Sequence, residues 1–331
     1  MFTSRKTKIA AAFTASALAL AGCSSDDGGN GASGNGGSNG DSYTIGINQL
    51  VQHPALDSAT EGFKSAFEDA GVEVEYDEQN ANGEQSTALT IAQQFASKNL
   101  DLVLSVATPA AQATAQNIQD TPVLFTAVTD PVEAELVDSL DAPGGNVTGT
   151  SDIAPIDQQF EMLQELLPDA KKIGIVYASG EVNSKVQVDE AKKVAEPLGL
   201  EIVTQTVTNV TEIPQAVQAI GDVDAFYVPT DNLVVSGIAS LVQAAEATET
   251  PVIAAEEGTV EGGAAIALGI NYEELGRQTG EMALRILRDG EDPATMPVEK
   301  ANEYKYVVNE DAAKRQGVEI PESILNEAET V

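Results

Sequence analysis

The chain has 331 residues, and its 52 Asp and Glu against 17 Lys and Arg give a formal net charge of −35. A surface this acidic repels phosphate backbones, which excludes nucleic acid as a partner. Hydrophobic residues make up 42%, enough for two globular domains, while a single Cys and a single His exclude an intramolecular disulfide and argue against a multi-histidine metal site or a Ser-His-Asp triad.

Arg5, Lys6 and Lys8 form a short basic head, and Ile9 to Ala21 is an apolar stretch too short to span a bilayer comfortably. It ends in Leu20-Ala21-Gly22-Cys23. This resembles the lipobox of bacterial lipoproteins, in which the cysteine is diacylated and becomes the first residue. Residues 1–22 are therefore expected to be a signal peptide, with Cys23 the lipidation site; the alternative is an ordinary secretory signal with a chance cysteine. Residues 23–42 are dominated by Gly, Ser, Asn and Asp and bury nothing. They read as a flexible tether reaching on the order of 25 Å.

Tyr43 to Asn48 predicts a strand. Pro54 opens a helix to about Ala70, with Ala55, Ala59, Phe63, Ala66 and Phe67 on one face and Gly71 as its stop. Val72 to Tyr76 is a second strand, and Gln85 to Lys98 a helix with Leu89, Ala92, Gln93 and Ala96 expected inward. Leu102 to Val106 is a third strand, with Pro109 in the first turn of the next helix, and Pro122 to Thr126 a fourth. Such alternation implies right-handed βαβ units and one parallel sheet. The turn-rich run from Asp130 to Ser151 reads as a crossing between lobes.

The alternation then restarts, with strands at Lys172–Tyr177, Leu200–Thr206, Ala225–Val228 and Pro251–Ala254. Helices follow Pro155, Val182, Glu212 and Leu233, the last running to Ala247. A strand (Ala264–Ile270), a helix (Tyr272–Asp289) and a final strand (Tyr304–Val308) close the pattern. IGIN in the first half matches IGIV in the second, and SVATPA matches YVPTDN. The expected fold class is α/β, with two Rossmann-like parallel-sheet lobes joined by a multi-crossing hinge.

No GxxxxGK[ST], HExxH, CxxC or GxSxG occurs, so neither an enzyme nor a cofactor is expected. The lipobox, the tether, IGINQLVQHPALD, EYDEQNANGEQSTA, ATPAAQA, LFTAVTDPV, PGGNVTGTSD, YVPTDN and GINYEELGRQTGEMA together resemble the substrate-binding lipoproteins of ABC transporters, of the type whose members bind aromatic amino acids such as tryptophan. The resemblance covers Tyr43 to Ile320. It implies a type I periplasmic-binding-protein fold, a monomer that traps a small solute between two lobes, and a membrane permease as partner. The first lobe would comprise residues 43–150 plus about 271–290, and the second 151–270 plus about 304–320.

Ligands of open α/β sheets bind beyond the carboxyl ends of the strands, which nominates the site. In the first lobe these positions are Asn48 and Gln49, Thr108 and Pro109 at a helix start, and Thr126. Thr108 reads either as a carboxylate ligand or as a plain helix cap, and Thr126 either as a ligand contact or as a hinge contact. In the second lobe they are Ser179, Asn183, Thr230, Asp231, Asn232 and Glu256 or Glu257. Asp231 is the expected partner of a ligand ammonium, with helix capping as the alternative. Tyr177 and Tyr227 read as core or cleft wall, and His53 as a turn residue or a ligand. With amides, hydroxyls and carboxylates but no Arg or Lys at the strand ends, the site suits a zwitterion; nucleosides, sugars and branched amino acids remain alternatives, as does a sensor on the same fold.

Overall fold

The computed structural model describes residues 42–301 and 304–331; the expected signal peptide, Cys23 and the tether as far as residue 41 lie outside the described residues, and Ser42, expected to end the tether, begins the first strand. The first half alternates β1 (Ser42–Gln49), α1 (Pro54–Asp69), β2 (Glu73–Asn80), α2 (Gln85–Ala96), β3 (Leu102–Val106), α3 (Thr108–Asn117), β4 (Val123–Val128) and β5 (Val147–Ser151). The second runs through α4 (Ile156–Leu166), β6 (Lys172–Ala178), α5 (Val182–Leu198), β7 (Glu201–Val207), α6 (Ile213–Ile220), β8 (Ala225–Val228), α7 (Asn232–Ser236), α8 (Ile238–Glu246), β9 (Val252–Ala254), α9 (Glu257–Glu261) and β10 (Ile266–Ile270). The chain closes with α10 (Tyr272–Leu284), β11 (Glu299–Lys300), β12 (Tyr304–Val308), α11 (Glu310–Arg315), α12 (Glu322–Leu325) and β13 (Glu329–Thr330).

The strands form two sheets. One has six strands in the order β11-β5-β4-β3-β1-β2, the other seven in the order β13-β12-β10-β9-β8-β6-β7. All pairings are parallel except β10 with β12. Residues alternate between the faces of each strand, so every sheet feeds two cores. Ile45, Ile47, Leu102 and Leu104 pack under α1 and α10, while Val103, Val123 and Phe125 pack under α2 and α3. In the second sheet Ile173 and Ile175 face α4 and α5, and Val176, Phe226 and Val228 face α6 to α8.

The chain passes between the lobes at Ser151–Ile156, Ile270–Tyr272 and Lys300–Tyr304, because β5, α10 and β11 belong to the first lobe and α4, β10 and β12 to the second. In each sheet the strand order reverses beside the first strand, between β1 and β3 and between β6 and β8. The crevices created there lie at the carboxyl ends of those strands.

Three elements depart from the sequence pattern. The buried stripe of α2 is Ala88, Ile91, Ala92 and Phe95; Leu89, Gln93 and Ala96 face outward. Phe95, the largest apolar side chain on the helix, selects the stripe one residue away from the expected one. The helix expected from Leu233 to Ala247 breaks at Gly237, where a Cβ would stand 2.7 Å from Ile213 Cδ1. The helix from Tyr272 widens into a π-helical turn over Arg285–Asp289 and is stopped by left-handed Gly290.

Candidate functional site

The carboxyl ends of the two sheets enclose a polar hollow. It is lined by His53, Ala55, Leu56 and Ala127 from the first lobe, Thr230, Asp231, Asn232, Val235 and Glu256 from the second, and Asp152 and Tyr272 from the crossings. A larger recess of about 520 Å³ adjoins it and shares Asn232; its apolar walls are Leu50, Val51, Pro109, Val210 and Leu233. The lobes touch around this space. Gln85 Nε2 donates to the Gly180 carbonyl at 2.8 Å, the Thr129 and Thr230 hydroxyls lie 3.4 Å apart, and Pro54 packs on Gly258. The inner hollow leaves only about 10 Å³ for a water-sized sphere, about one water, so any larger solute enters by parting the lobes.

Three buried carboxylates reach this hollow. Asp152 Oδ2 accepts from the Tyr272 hydroxyl at 2.7 Å, and its Oδ1 accepts from the Thr129 hydroxyl at 3.0 Å. Asp231 accepts from the Val234 N–H at 2.8 Å and the Ala178 N–H at 2.6 Å. Glu256 accepts from the Gly258 N–H at 2.9 Å and from the Thr259 hydroxyl. Burial raises all three above the usual carboxylate range, Glu256 to about 7. No Lys or Arg is among the described residues that line the hollow. His53 offers no positive charge either, since burial lowers it to about 4. Its ring approaches the Asn232 amide, yet neither ring nitrogen reaches a partner in hydrogen-bonding geometry. A hollow walled by desolvated acceptors attracts a cation that also donates hydrogen bonds.

Of the residues nominated from the sequence, the structure brings Asp231, Asn232 and Glu256 to the inner hollow, with His53 and Thr230, and places Pro109 and Ser179 on the outer recess. Asp231 both caps α7 and lines the hollow, and Glu256 does the same for α9. Thr108 is the first residue of α3 rather than its cap, and its buried hydroxyl has no partner. Ala107 before it has φ 81°, a left-handed value rare for a residue with a Cβ, and Ala127 at the end of β4 has φ 56°. Backbone held this way re-aims both strand ends.

Other nominees turn away. Gln49 donates to Val51 O and Asp57 and accepts from Thr60, bracing the turn that carries His53. Asn48 donates to Ala88 O and to Thr114 beneath α2 and α3. Thr126 accepts from Thr150, which contacts Thr279 of α10, so its hydroxyl ties the first lobe together. Asn183 donates to Glu181 and to Thr230 O and so supports the 229–232 turn. Tyr227 is core, donating to Gln159, and Tyr177 packs against the same core. Glu257 pairs with Lys305 at 3.4 Å beside the hinge. The sequence reading missed Asp152, Tyr272 and Glu181. Among the described residues no cluster of His, Cys, Asp or Glu is arranged to hold a metal.

Two parallel-sheet lobes joined by three crossings, with a buried polar hollow between facing strand ends, define a two-lobed solute-binding protein. A family profile described as ABC transporter substrate binding protein matches residues 44–331, and the chain belongs to that family. It is 43% identical over 301 residues to a tyrosine-binding protein of Clostridioides difficile, covering 89% of this chain and 87% of that one. Among solved structures it resembles an ABC domain in complex with L-Trp from Streptococcus pneumonia, with 39% identity, a TM-score of 0.84, and 88% and 100% of the two chains covered. It also resembles a ligand-free, open substrate binding protein with adhesive properties from Clostridium difficile, with 44% identity, a TM-score of 0.68, and 87% and 99% covered. The open structure has the higher identity and the lower TM-score. The present backbone therefore matches the L-Trp complex more closely than it matches that open structure.

Proposed function

We propose that the protein is a lipid-anchored receptor that captures an aromatic amino acid outside the cytoplasm and delivers it to a membrane permease. Its family membership places it among ABC transporter substrate-binding proteins, which work extracytoplasmically. The anchor at Cys23, the monomeric state and the choice of ligand are the further steps taken here. The observation that carries the ligand class is the acceptor-rich hollow: Asp152, Asp231 and Glu256 are buried with no cation among the described lining residues. An ammonium group answers that charge. The ligand carboxylate is assigned to the start of α3, where Pro109 borders the outer recess, the neighbouring Thr108 hydroxyl lacks a partner and the helix end carries partial positive charge. An aromatic side chain suits the outer recess between Leu50, Val51, Pro109, Val210 and Leu233. The L-Trp complex and the tyrosine-binding relative support the same class.

In this reading residues 43–150 with 271–290 form one jaw and 151–270 with 304–320 the other. Ligand contacts to both jaws favour the closed form, which the permease receives. The test is mass spectrometry of small molecules released from the purified protein by denaturation, followed by titration with L-tyrosine and L-tryptophan. Release of an intact aromatic amino acid, and saturable binding of one, is the expected result. A nucleoside or sugar in the released fraction, with no binding of either amino acid, refutes the assignment.

A further inference from the structure

The turn between β6 and α5 places Glu181 beneath the N-terminus of α7. Its carboxylate accepts from the Asn232 side-chain amide at 2.6 Å, the Asn232 N–H at 3.2 Å, the Leu233 N–H at 3.0 Å and the Asn183 amide at 3.0 Å. Glu181 borders the outer recess but not the inner hollow, whereas Asn232 lines both. Burial and the neighbouring Asp231 raise Glu181 to about 7, and above that pH its carboxylate accepts hydrogen bonds and donates none. The NH2 half of the Asn232 amide turns towards Glu181, which leaves the carbonyl half facing His53 and the hollow.

We propose that Glu181 is a positioning residue that fixes the Asn232 amide so that the second lobe presents an oxygen, not an NH2 group, to the ligand's amino end. The proposal rests on the amino-acid reading above. Glu181 does not reach the ligand itself; it sets the polarity of a side chain that does. Without this hold the Asn232 amide is free to turn over and place a donor against the ligand ammonium. Asn183 and Asp231 stiffen the arrangement: Asn183 also donates to the Thr230 carbonyl, and Asp231 caps the same helix that Glu181 supports.

The test is a double-mutant cycle read at pH 8, where Glu181 is ionised, by titration with L-tyrosine and L-tryptophan on wild type, Glu181→Gln, Asn232→Ala and the double variant. Glutamine keeps the size of Glu181 but sets an NH2 group against donors. Glu181→Gln is expected to weaken the amino acid roughly 10-fold, the scale of one charge-assisted hydrogen bond. In the Asn232→Ala background the same change is expected to shift affinity less than about 2-fold, because its target is gone. A second readout is independent of affinity: the Asn232 side-chain NH2 protons, assigned by their loss in Asn232→Ala, exchange slowly in wild type and fast in Glu181→Gln. Unchanged affinity in Glu181→Gln, an equal loss in both backgrounds, or fast exchange in the wild type overturns the positioning role. A wild type that binds neither amino acid overturns the ligand reading, and the proposal with it, a result separate from the other three.

Discussion

In the proposed site, Asp152 is the residue on which a ligand ammonium is expected to depend most directly. It is buried, it reaches the hollow, and its two hydrogen bonds come from neutral hydroxyls that leave its charge unbalanced. Asp152→Asn keeps the shape and removes the charge, and is expected to weaken an amino-acid ligand by roughly 2–5 kcal/mol in calorimetric titration. Asp231→Ala is a less clean probe, since it also strips the cap from α7 and costs about 1 kcal/mol of stability. The raised carboxylates predict a pH dependence. Glu256 titrates near 7 when folded against 4.5 as a free side chain, so between those values the folded form holds more protons than the unfolded one. Its contribution to stability is full below the lower value and is lost as pH rises through the upper. Melting temperatures of the ligand-free protein should therefore fall less between pH 5 and pH 7.5, or rise more, in Glu256→Gln than in wild type. Amino-acid affinity runs the other way, tighter at pH 8 than at pH 6, because only the ionised carboxylates hold the ammonium; equal affinities would refute a charged site. Asp231 and Glu256 were legible because each is an acid two or three residues beyond an apolar strand. Gln49 and Thr126 lie within the last residues of their strands and point elsewhere, since adjacent residues of a strand face opposite sides and sequence alone does not say which side is the cleft. Asp152 and Tyr272 lie 120 residues apart in sequence and meet only because two crossings run side by side.

At the scale of elements, the tightest contact is between α1 and α10. A Cβ on Gly62 would stand 1.9 Å from Glu273 O, and one on Gly276 would stand 1.9 Å from Ala59 O. The glycines let the two backbones meet directly, which locks a helix encoded after the second lobe onto the back of the first. Gly276→Ala is expected to lower stability by about 3 kcal/mol, the upper range for overpacking, as read by thermal or denaturant unfolding. Gly71→Ala, where a Cβ meets nothing within 4 Å but φ is +65°, should cost only about 1 kcal/mol. Most elements could be read from the chain because long apolar runs alternate with helical spacing. The α1–α10 contact could not, because it depends on the absence of side chains at positions that pattern reading treats as neutral. The break at Gly237 escaped for the same reason: the packing of Ile213 against it belongs to the tertiary fold.

For the molecule as a whole, closure is held partly by contacts that involve no ligand. Gln85 reaches across the mouth to Gly180, and Pro54 seats on Gly258. Removing the Gln85 bond by Gln85→Ala should weaken ligand by about 1 kcal/mol, mainly through faster release measured by stopped-flow, with unfolding stability unchanged. Small-angle scattering should report a smaller radius of gyration with saturating ligand than without, and a larger difference in Gln85→Ala, whose ligand-free form lacks this tie. The threefold passage between lobes has a consequence for how the protein is made. The edge strand and back helix of the first lobe are encoded by residues 272–300, after the whole body of the second, and the second takes its last strands from residues 304–330. A chain emerging from its amino end cannot seal its first half until almost all of it has been synthesised. The two halves are stitched rather than strung, so a premature stop spoils both, and neither can be cut out as a separate working piece.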